Sequence, residues 1–263
     1  MSNLIITTIQ AALHWENKEA NLQMLEEKIA SIKNKTHVVI LPEMFSTGFS
    51  MNPEALAENM DGVTVQWMKK TAAASKIILT GSVIIKEDEN YFNRMVWMLP
   101  SGEFVCYDKR HLFAYGGEDK QYTAGKKRCI VSVNGWKINL AVCYDLRFPV
   151  WARQQDSGDG YEYDLLICVA NWPDRRSHAW KILLQARAIE NQCYVVGVNR
   201  VGSDGNNLNY SGDSMVIDSL GKVLYQKENE EDVFTMELEK EPMQEIREKL
   251  PFWRERDEFN IIA

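Results

Sequence analysis

The apolar residues of this chain are gathered into short runs rich in Val, Ile and Leu, and most runs stop at a turn residue. Segments with apolar residues at helical spacing separate several of these runs. Residues 4–9 read as a strand, and residues 16–34 follow with Leu22, Leu25, Ile29 and Ile32 on one helical stripe among Glu and Lys. Residues 38–41 form a second strand ended by Pro42, residues 64–75 a helix, and residues 77–85 a third strand before the turn at Asp88, Glu89 and Asn90. Residues 92–99 and 103–107 flank Pro100-Ser101-Gly102, a hairpin signal. Residues 128–133 and 136–143 pair across Asn134-Gly135, because this dipeptide accepts the positive φ that a two-residue hairpin turn requires.

The second half continues the alternation. A helix follows Pro149, a loop covers 157–160, and a strand covers 164–170. A helix spans 178–191, with strands at 193–198, 213–218, 223–226 and 233–237 and a charged, mixed helical and extended tail at 239–263. This order, without repeat or low-complexity linker, predicts a single α/β domain over 1–263 in which two mixed β-sheets pack together under covering helices. The tail 239–263 is expected to pack on that sandwich or on a partner subunit.

Composition removes several functions. The net charge of −7 argues against nucleic acid and against an anionic membrane surface as partners. Five cysteines without CxxC spacing argue against a disulfide framework or a structural zinc site. The start lacks a basic segment followed by a long apolar one, and no apolar run reaches the roughly 18 residues of a membrane span, so a cytoplasmic protein is expected. Asn34-Lys35-Thr36 and Asn209-Tyr210-Ser211 match a glycosylation pattern that has no meaning without secretion.

Among the cysteines, Cys143 alone ends an apolar run and is followed at once by a polar turn, Tyr144-Asp145-Leu146-Arg147-Phe148-Pro149. That junction predicts an exposed thiol beside the free N–H groups of a helix start, a place that suits a nucleophile. The plain alternative is a small buried hydrophobe, and Cys106, Cys129, Cys168 and Cys193 fit it. A nucleophilic thiol needs a base and an oxyanion stabiliser. Of the histidines, His37 begins a buried strand and His14 has no special context, whereas His111 and His178 lie in polar segments and leave a Cys–His pair open. Glu43 is the better base, because a strand ending in Leu41-Pro42 delivers its carboxylate to the sheet's end amid Met44, Phe45, Gly48 and Phe49. Its plain reading is a solvated loop acid. Lys109, at the polar exit of another strand, is a candidate for oxyanion stabilisation, and Glu118, after Gly116-Gly117, for orienting it. Their plain readings are a surface lysine and an exposed loop acid. The glycines there lack the GxxxxGK[ST] spacing of a phosphate loop.

Three segments taken together resemble the nitrilase superfamily of carbon–nitrogen hydrolases: Leu41-Pro42-Glu43-Met44-Phe45, residues 107–113 around Lys109, and residues 142–149 around Cys143. Residues 170–173, 185–191 and 212–214, with Gly221, extend the similarity to nearly the whole chain. The resemblance implies a four-layer αββα sandwich that dimerises or forms a higher homo-oligomer with an eight-layer core. It also implies a Glu–Lys–Cys triad at Glu43, Lys109 and Cys143, a second glutamate at Glu118, and no metal or organic cofactor. Residues 109–118 and 122–125 look most like the omega-amidase branch in its bacterial form. Those enzymes hydrolyse the terminal amide of 2-oxoglutaramate or 2-oxosuccinamate to the 2-oxo diacid and ammonia. No fused synthetase or glutaminase domain is expected.

On that reading Glu43 takes the Cys143 proton, and Lys109 with the Tyr144 backbone N–H holds the oxyanion. The small-molecule amide carries a carboxylate for which Arg175 and Arg176 are the candidate partners. Arg147 is a third candidate, expected instead in a structural ion pair. Trp172, Phe113, Tyr115, Phe148 and Trp180 are candidate pocket walls. Rival substrates are nitriles, N-carbamoyl amines and deaminated glutathione. A catalytically silent interaction protein and a redox thiol protein are the readings of other classes.

Overall fold

The computed structural model describes residues 3–155 and 160–261. The loop expected at 157–160 lies, apart from Gly160, outside the described residues. The first sheet is built from β1 (Leu4–Gln10), β2 (Val38–Ile40), β3 (Ile78–Glu87), β4 (Asn90–Met98) and β5 (Phe104–Asp108). The second contains β6 (Ile130–Val133), β7 (Trp136–Val142), β8 (Leu165–Val169), β9 (Tyr194–Val198), β10 (Val201–Ser203), β11 (Asn209–Ile217) and β12 (Val223–Glu228). The chain then returns to the first sheet as β13 (Asp232–Leu238), giving the order β13-β1-β2-β3-β4-β5 there and β10-β11-β9-β8-β7-β6 in the second, with β12 on the other edge of β11. Both sheets are mixed: β1, β2 and β3 run parallel, as do β7, β8 and β9, with antiparallel strands outside them.

The helices are α1 (Lys18–Ala30), α2 (Pro53–Leu56), α3 (Val63–Ser75), α4 (Glu118–Gln121), α5 (Pro149–Ala152), α6 (Ser177–Asn191) and α7 (Lys240–Lys249). Side chains alternate across a strand, so each sheet feeds two cores. Val38 and Ile40 face inward with Trp97, Leu140 and Val142, filling the space between the sheets. Val39, Leu79, Val96 and Met98 face the other way and bury Leu22 and Leu25 of α1 with Val65 and Met68 of α3. Each such side chain contributes about 1.5–3 kcal/mol when removed from water. On the outer face of the second sheet Trp180, Leu184 and Ala188 of α6 are fully buried. Gly197 of β9 permits that approach, since a Cβ there would stand 2.5 Å from Leu184 Cδ1. The layers are therefore αββα, as the resemblance implies.

Differences from expectation have local causes. The helix expected over 16–34 is shorter, because Asn17 caps its start through Oδ1 to the Ala20 N–H and Ser31 closes its end. The helix after Pro149 lasts one turn. Gln154 then turns aside to bond Asn191 at the end of α6, with its N–H on Asn191 Oδ1 at 3.0 Å. β11 begins at Asn209, ahead of the expected 213, because β10 pairs with its first residues. The described part of the tail folds as α7 and a 3-10 turn at Phe252–Glu255. Arg247 anchors α7 to the sandwich through Asp164 and the carbonyls of Tyr163 and Gln192. No helix among the described residues is long and apolar enough to cross a membrane.

Candidate active site

Ligands of open α/β sheets gather outside the carboxyl ends of the strands, and here the carboxyl ends of both sheets meet. Glu43 follows β2, Lys109 follows β5, Cys143 follows β7 and Asn171 follows β8. Lys109 Nζ donates to Glu43 Oε1 at 2.9 Å and lies 2.9 Å from both Glu118 oxygens. Glu43 and Glu118 are fully buried and Lys109 is 1% exposed. The solvated-loop and surface readings of these three residues are therefore wrong. Charges withdrawn from water this completely persist only when paired and hydrogen-bonded, and every one here is.

Asn93, in β4, donates through Nδ2 to Glu43 Oε1 at 2.7 Å and Glu118 Oε1 at 3.1 Å. The Asn171 N–H donates to Glu43 Oε2 at 2.8 Å, and Asn171 Nδ2 to the Glu43 carbonyl at 2.5 Å. The Phe113 N–H donates to Glu118 Oε2 at 2.6 Å. Burial alone would discharge Lys109, yet Glu118 and then Glu43 hold its ammonium well above the usual lysine range. Burial, with repulsion from Glu43, raises the Glu118 carboxyl against the pull of Lys109.

Cys143 opens a 3-10 turn, Cys143–Arg147, and adopts φ 47°, in the left-handed region. Met44, next to Glu43, has φ 42°. A side-chain-bearing residue in this conformation costs on the order of 1–3 kcal/mol and is held there by its surroundings. Asp145 supplies the restraint at Cys143. It accepts from the Val142 N–H at 3.0 Å and the Tyr107 hydroxyl at 2.7 Å, while its other oxygen accepts the His111 N–H at 2.9 Å. At Met44 the N–H donates to Ser82 Oγ at 2.8 Å.

The expectation of an exposed thiol at a helix start is corrected on two counts. Cys143 is 9% exposed, and the turn it begins is five residues of 3-10 geometry. Burial and then the Glu43 charge push its thiol well above the ordinary value, with Lys109 pulling against them. Cys143 therefore rests as a thiol and needs a base.

A cavity of about 240 Å³ is lined by Cys143, Tyr144 and Asn171. Phe49, Met51, Phe113 and Trp172 supply apolar wall, and Arg147, Arg175 and Arg176 supply positive charge. Tyr115 also lines it, at 83% exposure. Arg176 lies over the Phe113 ring, 5.2 Å from its centroid. Burial and neighbouring Arg175 lower its value. Arg147 does not make the expected ion pair: its guanidinium stands 4.9 Å over the Trp172 ring and faces the cavity. Phe148 does not line the cavity. It stacks on His111 at 3.7 Å and supports Tyr144 edge-on at 5.1 Å. Trp180 lies behind Trp172 and donates to the Asp213 carbonyl at 2.7 Å. His111 is engaged with Asp145 at 2.8 Å, and His178 is exposed on α6.

Sequence reasoning missed Asn93, the role of Asn171, and a far wall made by Asp204, Asn206, Leu208 and Tyr210. Asp204 ties that wall together, accepting from the N–H groups of Asn206 and Leu208 at 2.8 and 3.0 Å and from the Tyr210 hydroxyl at 2.8 Å. Among the described residues no group of three or more His, Cys, Asp or Glu side chains is placed to hold a metal ion.

Residues 5–248 match the family model described as carbon-nitrogen hydrolase. Omega-amidase YafV of Escherichia coli (strain K12) is 42% identical over 262 residues, covering 99% of this chain and 100% of that protein. A 2-oxoglutaramate amidase of Bacillus subtilis is 33% identical, covering 94% of this chain and 95% of that one. The solved structure of XC1258 from Xanthomonas campestris superposes with a TM-score of 0.96 at 42% identity over 99% of this chain and 100% of that one. It is described as a CN-hydrolase superfamily protein with an arsenic adduct in its active site.

Proposed function

The chain belongs to the carbon–nitrogen hydrolase family, and within it we propose an omega-amidase that hydrolyses the terminal amide of a 2-oxo dicarboxylic acid monoamide such as 2-oxoglutaramate. The observation that carries this reading is one cavity that joins Cys143, set beside the buried Glu43–Lys109–Glu118 array, to three cationic side chains, Arg147, Arg175 and Arg176. Full-length similarity to omega-amidases and to a 2-oxoglutaramate amidase supports the same substrate class.

In the proposed reaction Glu43 accepts the Cys143 proton as Sγ bonds to the amide carbon, and the carbonyl π electrons move to oxygen. Lys109 and the Tyr144 N–H stabilise that oxyanion in a water-poor site. The C–N bond then breaks, the proton passes from Glu43 to nitrogen, and ammonia leaves a thioester on Cys143. Water gives a proton to Glu43 and attacks the thioester carbon. The S–C bond breaks, and the proton returns to sulfur as the acid departs. Glu118 holds Lys109 throughout. The substrate's distal carboxylate pairs with Arg176 or Arg175, whose forked donors suit it.

The same reading takes the protein as cytoplasmic, in keeping with its five free cysteines, and as a homo-oligomer. Self-association through the outward side of α6 is supported by the exposure of Ile182, Ile189 and nearby Leu220, at 50%, 54% and 57%.

The test is ammonia release from 2-oxoglutaramate beside glutamine, a simple nitrile and N-carbamoylputrescine. Preference for the oxo-amide is expected. Turnover of another compound alone would retain the reacting groups and overturn the substrate.

A further inference from the structure

Counting lone pairs separates the two buried glutamates. Glu118 Oε1 accepts from Lys109 and Asn93, and Glu118 Oε2 from Lys109 and Phe113 N–H, so both oxygens are saturated. Glu43 Oε1 is saturated as well, by Lys109 and Asn93. Glu43 Oε2 has one donor, the Asn171 N–H, and so keeps one lone pair open. Among the described residues it is the one carboxylate oxygen of the array with room for a proton.

Asn93 is what closes the alternatives. Its Nδ2 carries two hydrogens, and each goes to a different glutamate. The reverse amide orientation would set Oδ1 against two carboxylates. Asn93 Oδ1 is shut from solvent and has no hydrogen-bond partner among the described residues. Leaving a buried acceptor unmade is costly, and the fold accepts that cost to aim Nδ2 at the glutamates. Asn93 is held in register by the β4–β5 ladder. On one side its carbonyl accepts the Lys109 N–H at 3.0 Å, and at the next position Arg94 grips Asp108 through two bonds, 2.6 and 3.0 Å.

We infer that Asn93 is a positioning residue that saturates Glu43 Oε1 and Glu118 Oε1, and thereby directs the Cys143 proton to Glu43 Oε2. The inference rests on the proposed role of Glu43. The charged and titratable groups that face Glu43 are Lys109, Glu118, Cys143 and Cys168, with Tyr122 and Tyr210 further out. Removing Asn93 opens a lone pair on each glutamate, so the Cys143 proton is no longer confined to Glu43 Oε2.

The experiment compares wild type with Asn93→Ala, Asn93→Ser and Asn93→Leu in two assays. One is ammonia release against pH. The other is the rate of Cys143 alkylation by iodoacetamide against pH, which needs no substrate and so survives failure of the proposed amide. Reactive sites are counted by alkylation at completion, so that rates refer to folded protein. For Asn93→Ala we expect kcat to fall roughly 10- to 100-fold with KM within about threefold, a fraction of what a placed proton acceptor supplies. The pH profile should shift in the same direction in both assays. Asn93→Ser, which retains one donor, should recover part of both effects. Asn93→Leu has nearly the same shape without donors and should be at least as impaired as Asn93→Ala. A leucine variant as active as wild type, or unshifted pH limbs with only a lowered melting temperature, would reduce Asn93 to packing and overturn the inference.

Discussion

Tyr107 and Asp145 are joined by a hydrogen bond of 2.7 Å from the hydroxyl to Oδ2, which ties the strand before Lys109 to the turn that carries Cys143. The Trp151 indole N–H donates to the same hydroxyl at 2.9 Å. Asp145 thus holds the left-handed turn at Cys143 from both sides. Asp145→Ala strands the Val142 and His111 N–H groups and the Tyr107 hydroxyl, at a cost of roughly 3 kcal/mol. Melting temperature should fall by several degrees, and turnover per folded site should fall as well. Tyr107→Phe should lose roughly 1–2 kcal/mol. Paired thermal melts and kinetics check both variants.

Arg176, half-buried over Phe113 in the cavity wall, is the arginine expected to carry most of the substrate-carboxylate contact. Arg176→Ala should raise KM for 2-oxoglutaramate about 10- to 100-fold, the size of a lost charge-assisted bond. A neutral amide of similar length should lose little. Equal losses for both substrates would assign Arg176 to the wall alone.

Alkaline pH should destabilise the fold. A group whose folded value is raised contributes stability that is complete below its unfolded value and is lost as pH rises through the folded one. For Cys143 the loss begins above the ordinary thiol value of 9.0, and for Lys109 above 10.5. Melting temperature should therefore decline as pH climbs past 9.0, where burial also raises Cys106, Cys129, Cys168 and Cys193, and Cys143→Ala should make the decline shallower between 9.0 and 10.5. Calorimetry of both proteins across that range checks the sign.

Gly197→Ala tests the packing of α6 on the second sheet. Its Cβ would meet Leu184 Cδ1 at 2.5 Å and Trp180 Cζ2 at 2.8 Å. Overpacking of this kind costs about 1–3 kcal/mol. The melting temperature should drop while Cys143 remains alkylatable.

The sheets were legible because β-branched runs and the Asn134-Gly135 turn leave few other foldings, and the placement of Glu43, Lys109 and Cys143 was legible because each follows a strand. Burial was not. A Glu after a Pro reads as solvated until a distant lysine and Asn93 are found against it. Asn93 itself looks like one polar residue in an alternating strand, and only tertiary contact gives it a role. Phe148 was misplaced for a related reason. Nearness in sequence to Cys143 says nothing about which face of a five-residue turn a ring takes, and here it goes beneath Tyr144 to meet His111. The wall from Asp204 to Tyr210 lies far along the chain from Cys143 and reaches the cavity only through the fold.

A thioester on Cys143 would be seen in the intact mass of enzyme acid-quenched within milliseconds of mixing with 2-oxoglutaramate. A transient gain equal to the acyl group is expected, mapped by peptide digestion to Cys143 and absent in Cys143→Ala together with ammonia release. Steady ammonia release with no adduct, and with the alanine variant still active, would contradict it.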